Sequence, residues 1–145
     1  MPSFLFKTEP GEFSFQDLVK KGRATWDGVT NAAALIHLRS IAKGDTVYIY
    51  HTGDEKAVVG VARALSGAFE DPKKPGRTPE GKPKFAVVDL APVGLVGTPV
   101  TLAAIKSDAR FAEFALVKQS RLSVMPVPGA IEKALRALAG LRGGI

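Results

Sequence analysis

Apolar residues fall in short runs punctuated by glycine and proline, with no internal repeat and no low-complexity linker dividing the chain into halves. Phe4 to Lys7 reads as a first strand, stopped by Pro10. Ser14 followed three residues later by Asp17 resembles a capping box, which starts a short helix through Leu18 and Val19 that Gly22 ends. Asn31 is placed to cap a second helix over Ala32 to Ala42, where Leu35, Leu38 and Ile41 recur at helical spacing and Gly44 supplies the stop. The β-branched and aromatic run Thr46 to His51 predicts a strand, turned by Gly53 and Asp54 into a second run, Val58 to Leu65, so that the two pair as a hairpin.

Glu70 to Lys84 carries four prolines, two glycines and five basic residues, a composition that predicts an exposed loop instead of a regular element. Phe85 to Leu90 returns as a strand. Thr101 and Asp108 are placed to cap two short helical turns, Leu102 to Ile105 and Ala109 to Phe114. In Arg121 to Met125 the apolar Leu122 and Val124 alternate with Arg121 and Ser123, the pattern of a strand with one polar face. Ile131, Leu135 and Leu138 share one face of a C-terminal helix, with Glu132 and Arg136 as an exposed i, i+4 pair. The sum is an α+β fold, one domain over residues 1–145, with short helices around a strongly curved or barrel-like sheet.

Composition narrows the function classes. At 145 residues the chain is long enough to bury a core without staples, and 46% hydrophobic with 23% charged residues is ordinary for a globular protein. There is no cysteine, which removes thiol catalysis, thiolate zinc, iron–sulfur and disulfide chemistry together. Lys7 and Glu9 interrupt the start of the chain before a signal-peptide core could form, and no stretch approaches a membrane span, so a cytoplasmic address is the expectation. Twenty basic against fourteen acidic residues give a net charge of +6, which favours a polyanionic partner or serves solubility alone. With two histidines, no Gly-x-Ser-x-Gly and no Walker-type loop, an enzyme acting on nucleotides has poor support, and no catalytic residue, metal ligand or cofactor is assigned.

Four segments, Phe6-Lys7-Thr8-Glu9-Pro10, Trp26-Asp27-Gly28-Val29, Gly44-Asp45 with Tyr50-His51-Thr52, and Gln119 to Val124, occur in an order and at spacings that resemble the EVE domain. That family belongs to the PUA-like superfamily, which includes the thymocyte nuclear protein group and is related to the YTH readers. The resemblance runs from Phe4 to about Leu138. It implies a PUA-like pseudobarrel with a pocket for a flipped or single-stranded base of DNA or RNA, modified cytosine or adenine being the ligands discussed for relatives. Two positions depart from the pattern: Thr30 stands where relatives usually carry an arginine, and Phe4 where the first strand usually has tryptophan.

Under that resemblance each candidate has a second, plainer reading. Trp26, in a Trp-Asp-Gly turn, offers a ring for base stacking or plugs one end of the core. Tyr50 and His51 project to opposite faces of their strand, so only one of them faces a given pocket. His51 reads a base edge or makes structural hydrogen bonds. Lys7 reaches a phosphate or base carbonyl, or is an edge-strand lysine with its head in water. Glu9 accepts from an exocyclic amine, or pairs with Lys7 or a backbone amide. Ser120, Arg121 and Ser123 supply polar groups to the pocket or are ordinary surface, and Asn31 is an N-cap that also touches ligand. Lys73, Lys74 and Arg77 follow a phosphate backbone or are simply solvated. The leading expectation is a nucleic-acid reader without catalysis. The alternatives are a nucleotide-modifying or nucleotide-hydrolysing enzyme, and a small-molecule or protein-interaction module that uses the same pocket.

Overall fold

Local signals set most of the elements in the computed structural model, which describes residues 2–141. Strand β1 spans Ser3–Thr8. Helix α1, Phe15–Lys21, begins with a complete capping box between Ser14 and Asp17 and ends where Gly22 takes the left-handed conformation at φ 75°. Strand β2, Ala24–Trp26, leads to helix α2, Ala32–Arg39, capped by the Asn31 side chain. Then follow β3 (Thr46–His51), β4 (Ala57–Ala64), the two-residue β5 (Phe69–Glu70) and the long β6 (Ala86–Thr101). Helix α3 (Leu102–Lys106), a 3-10 turn (Ala109–Phe111), helix α4 (Ala115–Lys118), strand β7 (Val124–Pro126) and helix α5 (Gly129–Leu138) complete the described chain. None of these helices is long and apolar enough to cross a membrane.

The strands form one mixed sheet in the order β2-β6-β4-β3-β1-β7, with β5 also paired to β6. Only β1 and β3 are parallel, and the other pairs are antiparallel. The sheet curls into a half-barrel. Helix α2 packs against β7, at one end of the strand order, and β6, next to the other, so it bridges the gap that the curled sheet leaves. Phe6, Phe15, Leu18, Tyr48, Ile49 and Leu90 lie wholly inside. Gly60 has a steric role, because a Cβ there would come within 2.6 Å of the Phe15 ring; a bare backbone lets α1 lie on β4.

Five expectations need correction. Helix α2 stops at Arg39, three residues short of the apolar pattern, because the Asp45 carboxylate accepts from the Ala42 amide at 2.8 Å and folds residues 40–45 into turns. Strand β6 does not end at Leu90 but runs on through Pro92 and Pro99. Its pairing with β4 shifts register between Val61 and Ala62 and between Val58 and Gly60, and such irregularities tolerate residues that cannot donate. The strand expected at Arg121 begins only at Val124; Arg121 and Ser123 lie in the turn before it. Trp26 is no turn residue, since it ends β2 opposite Val88. Glu132 and Arg136 are not a detached surface pair. Glu132 Oε2 accepts from Ser3 Oγ at 2.6 Å and from Tyr48 Oη at 2.7 Å, and Arg136 Nη1 donates to the same phenol oxygen at 3.5 Å, which ties α5 to β1 and β3.

Candidate functional site

The end of β1, the end of β2 and the start of α2 converge on a cleft of about 770 Å³, a size ordinary for ligand sites. β1 delivers Lys7 and Thr8 and continues into Glu9. β2 delivers Trp26, after which Gly28, at φ 79°, turns the chain through Thr30 to Asn31. Ser123, just before β7, closes the far side, and its carbonyl accepts from the Lys7 amide at 2.9 Å.

Several of these groups are held in place. Asn31 Oδ1 accepts from the Ala34 amide at 3.0 Å, the helix cap expected of it, which leaves its amide nitrogen to the cleft. Glu9 accepts from the Gly11 amide and from Thr52 Oγ1, each at 3.2 Å. Lys7 Nζ donates to the Ser120 carbonyl at 2.8 Å and lies 5.8 Å from the centre of the Tyr50 ring. Burial lowers its pKa below the usual lysine value. Glu9, Glu12 and Asp27 line the cleft together with Lys7 and Lys21, so the lining presents both donors and acceptors.

Trp26 forms the floor and is only 8% exposed. Its ring centre is 5.6 Å from that of Phe6 and 5.8 Å from that of Phe13, the latter edge-on. The indole belongs to the core and does not stand free as a stacking platform.

The remaining candidates divide. Tyr50 is buried and lines a second cavity with Lys7 and Ser120, and burial raises its pKa. His51, 3% exposed, faces the other way: its Nε2 accepts from the Phe15 amide at 3.0 Å and its Nδ1 lies 2.7 Å from Glu55 Oε1. An acceptor Nε2 puts the proton on Nδ1, where it donates to the carboxylate. His51 therefore fastens the first turn of α1 to β3 and lines none of the cavities described. Arg121 and Ser120 border a shallow depression that also includes Asn31, so they flank the main cleft.

The basic loop lies elsewhere. Arg77 pairs with Glu70 at 3.1 Å and donates to the Gly81 carbonyl at 2.7 Å, while Lys74 and Lys84 sit 5.4 and 5.6 Å from the Phe85 ring centre. Arg39 Nε donates to the Pro83 carbonyl at 2.7 Å and clamps the loop to α2. Lys73, Lys74 and Arg77 are exposed, and none of them lines the cleft.

Sequence reasoning singled out Thr30 for what it replaces, and the structure puts it on the cleft wall. Phe13, Glu12 and Lys21 were missed. They enter through the path of the chain between β1 and β2, which no local pattern encodes.

A family model described as the EVE domain matches residues 3–138, the span that contains every element from β1 to α5. The chain belongs to the EVE domain family. Human thymocyte nuclear protein 1 is 26% identical over 152 residues, covering 86% of this chain and 68% of that protein. A Rhodopseudomonas palustris protein solved by NMR superposes with a TM-score of 0.87 at 36% identity, covering 99% and 97% of the two chains. The human THYN1 protein, crystallised in complex with 5-methylcytosine-containing DNA, shares the EVE fold at a TM-score of 0.86 and 23% identity, covering 99% of this chain and 100% of the other.

Proposed function

We propose that this EVE domain binds nucleic acid and holds one unstacked, modified base in the cleft between β1, β2 and α2, without catalysing its conversion. The observation that carries this reading is the lining. Donors and acceptors from Lys7, Glu9, Thr30, Asn31 and Ser123 surround an apolar floor of Trp26 and Phe13, in a space that accommodates a nucleoside. A base needs an apolar contact and polar partners on its edge, and both are available here. The structural relative with 5-methylcytosine-containing DNA supports the same class of ligand.

Glu9 and Asp27 are suited to accept from an exocyclic amine, and the Asn31 amide to donate to a ring carbonyl. Discrimination then rests on hydrogen bonds and cleft shape, with little from ring stacking. Unstacking a base costs a few kcal/mol, so single-stranded or already weakened sites bind more tightly than intact duplex. Affinities for matched oligonucleotides that carry cytosine or 5-methylcytosine at one position test the proposal. Tighter binding to the methylated strand, unaltered in sequence after hours with divalent metals, is expected. Equal affinities for these and for other modified bases, or turnover abolished by Asn31→Ala, would refute it.

A further inference from the structure

A second cavity of about 200 Å³ adjoins the cleft. Tyr50, Thr52 and Ser120 line it together with three lysines, Lys7, Lys56 and Lys106, and no carboxylate is among its lining residues. Lys7 also lines the main cleft, so the two spaces meet at one side chain. Their charges differ in kind. Glu9, Glu12 and Asp27 line the cleft beside Lys7 and Lys21, whereas lysines are the only charged residues that line the smaller cavity, with the Glu9 carboxylate behind it, 3.2 Å from Thr52 Oγ1.

Three lysine side chains that line one small space give an anion a favourable place, and Lys56 and Lys106 are exposed and open to a ligand. Neither Lys56 nor Lys106 forms an ion pair among the described residues. Lys56 is moreover the one described non-glycine residue with positive φ, 45°, a conformation that a glycine adopts with less strain. Its carbonyl accepts from the Leu102 amide at 2.8 Å, which couples the Lys56 turn to α3 and thereby to Lys106.

We propose that this cavity is a phosphate site in which Lys7, Lys56 and Lys106 take the phosphodiester next to the base held in the cleft. The identity of the occupant rests on the base-holding reading; the preference for an anion rests on the cavity itself. One nucleotide joins a neutral base to an anionic phosphate across a single sugar. The carboxylates of the cleft repel the phosphate and accept from the base, while the adjoining cavity does the reverse.

The test is a scan of single neutral methylphosphonate linkages along a 5-methylcytosine oligonucleotide, run against wild type and the Lys56→Gly/Lys106→Ala double variant. With wild type, one linkage beside the modified base should weaken binding several-fold. The double variant should bind more weakly from the start, be indifferent to that linkage, and keep its preference for the methylated base. Its dependence of log K on log salt should be shallower by about 0.7 for each single-strand phosphate that it no longer neutralises. Glycine at position 56 suits the backbone, and Lys106→Gln alone, at an exposed position, repeats the test without altering that turn. Neutral linkages that affect wild type and variants equally would overturn the proposal. If no oligonucleotide binds wild type, the base-holding reading fails, and titration with inorganic phosphate decides about the cavity. Saturable amide shifts at Lys56, Lys106 and Ser120 that the double variant lacks would retain an anion site for a different phosphate-bearing ligand. No such shifts would overturn the site as well.

Discussion

Trp26 packs its ring against Phe6 and Phe13 and also lines the cleft, so it is first of all a core residue. Trp26→Ala should therefore cost about 3 to 5 kcal/mol of folding free energy through the cavity it leaves, and Trp26→Phe distinctly less. Urea unfolding checks this; a Trp26→Ala protein as stable as wild type would place the indole outside the core. Tyr48 permits a prediction about pH. Burial, before any other cause, raises its pKa to about 12, with Glu132 adding to the rise and Arg136 opposing it. The unfolded phenol ionises near pH 10, so the folded state retains the proton where the unfolded state has lost it. The stabilisation is complete below about pH 10 and is lost as pH rises towards 12, by about 2 to 3 kcal/mol. Tyr48→Phe should be less stable at neutral pH, removing one of the two donors to Glu132, yet show a flatter decline between pH 10 and 12. Parallel alkaline profiles for the two proteins would contradict the assignment.

At the scale of elements, the contact of α1 with the sheet depends on a missing side chain. A Cβ on Gly60 would clash with the Phe15 ring at 2.6 Å, so Gly60→Ala should force α1 away from β4 and cost about 1 to 3 kcal/mol, read as a lower unfolding midpoint. An unchanged midpoint would mean that α1 is not seated as described. The elements legible in the sequence are those whose signals are local. The Ser14 and Asp17 capping box, the Asn31 cap and the Gly22 stop each act within a few residues, and the caps at Thr101 and Asp108 do so too. What escaped depends on distant partners. The three residues of β2 are a strand because β6 lies beside them, and β6 keeps going through two prolines because β4 shifts register to admit them. The site was legible in the same measure. Lys7, Glu9, Asn31 and Ser123 were found through short motifs and do meet at the cleft, whereas His51 was drawn inward by the Phe15 amide, a partner 36 residues away.

For the whole molecule, the half-barrel leaves one end open, and α2 bridges the gap so that its cap stands beside the last residues of β1 and β2. The net charge of +6 is not spread evenly there, since the cleft mixes signs while lysines are the only charged residues that line its smaller neighbour. Such a division suits a ligand with a neutral, hydrogen-bonding part and an anionic part, as every nucleotide has. Binding at the cleft is read most directly by titrating isotope-labelled protein with an oligonucleotide bearing one 5-methylcytosine whose methyl group is itself labelled. Amide shifts should concentrate on Lys7, Glu9, Thr30, Asn31 and Ser123, with through-space contacts from the methyl group to the Trp26 and Phe13 rings. Shifts confined to the basic loop at Lys73, Lys74 and Arg77, with no contact from the methyl group to either ring, would contradict binding at the cleft.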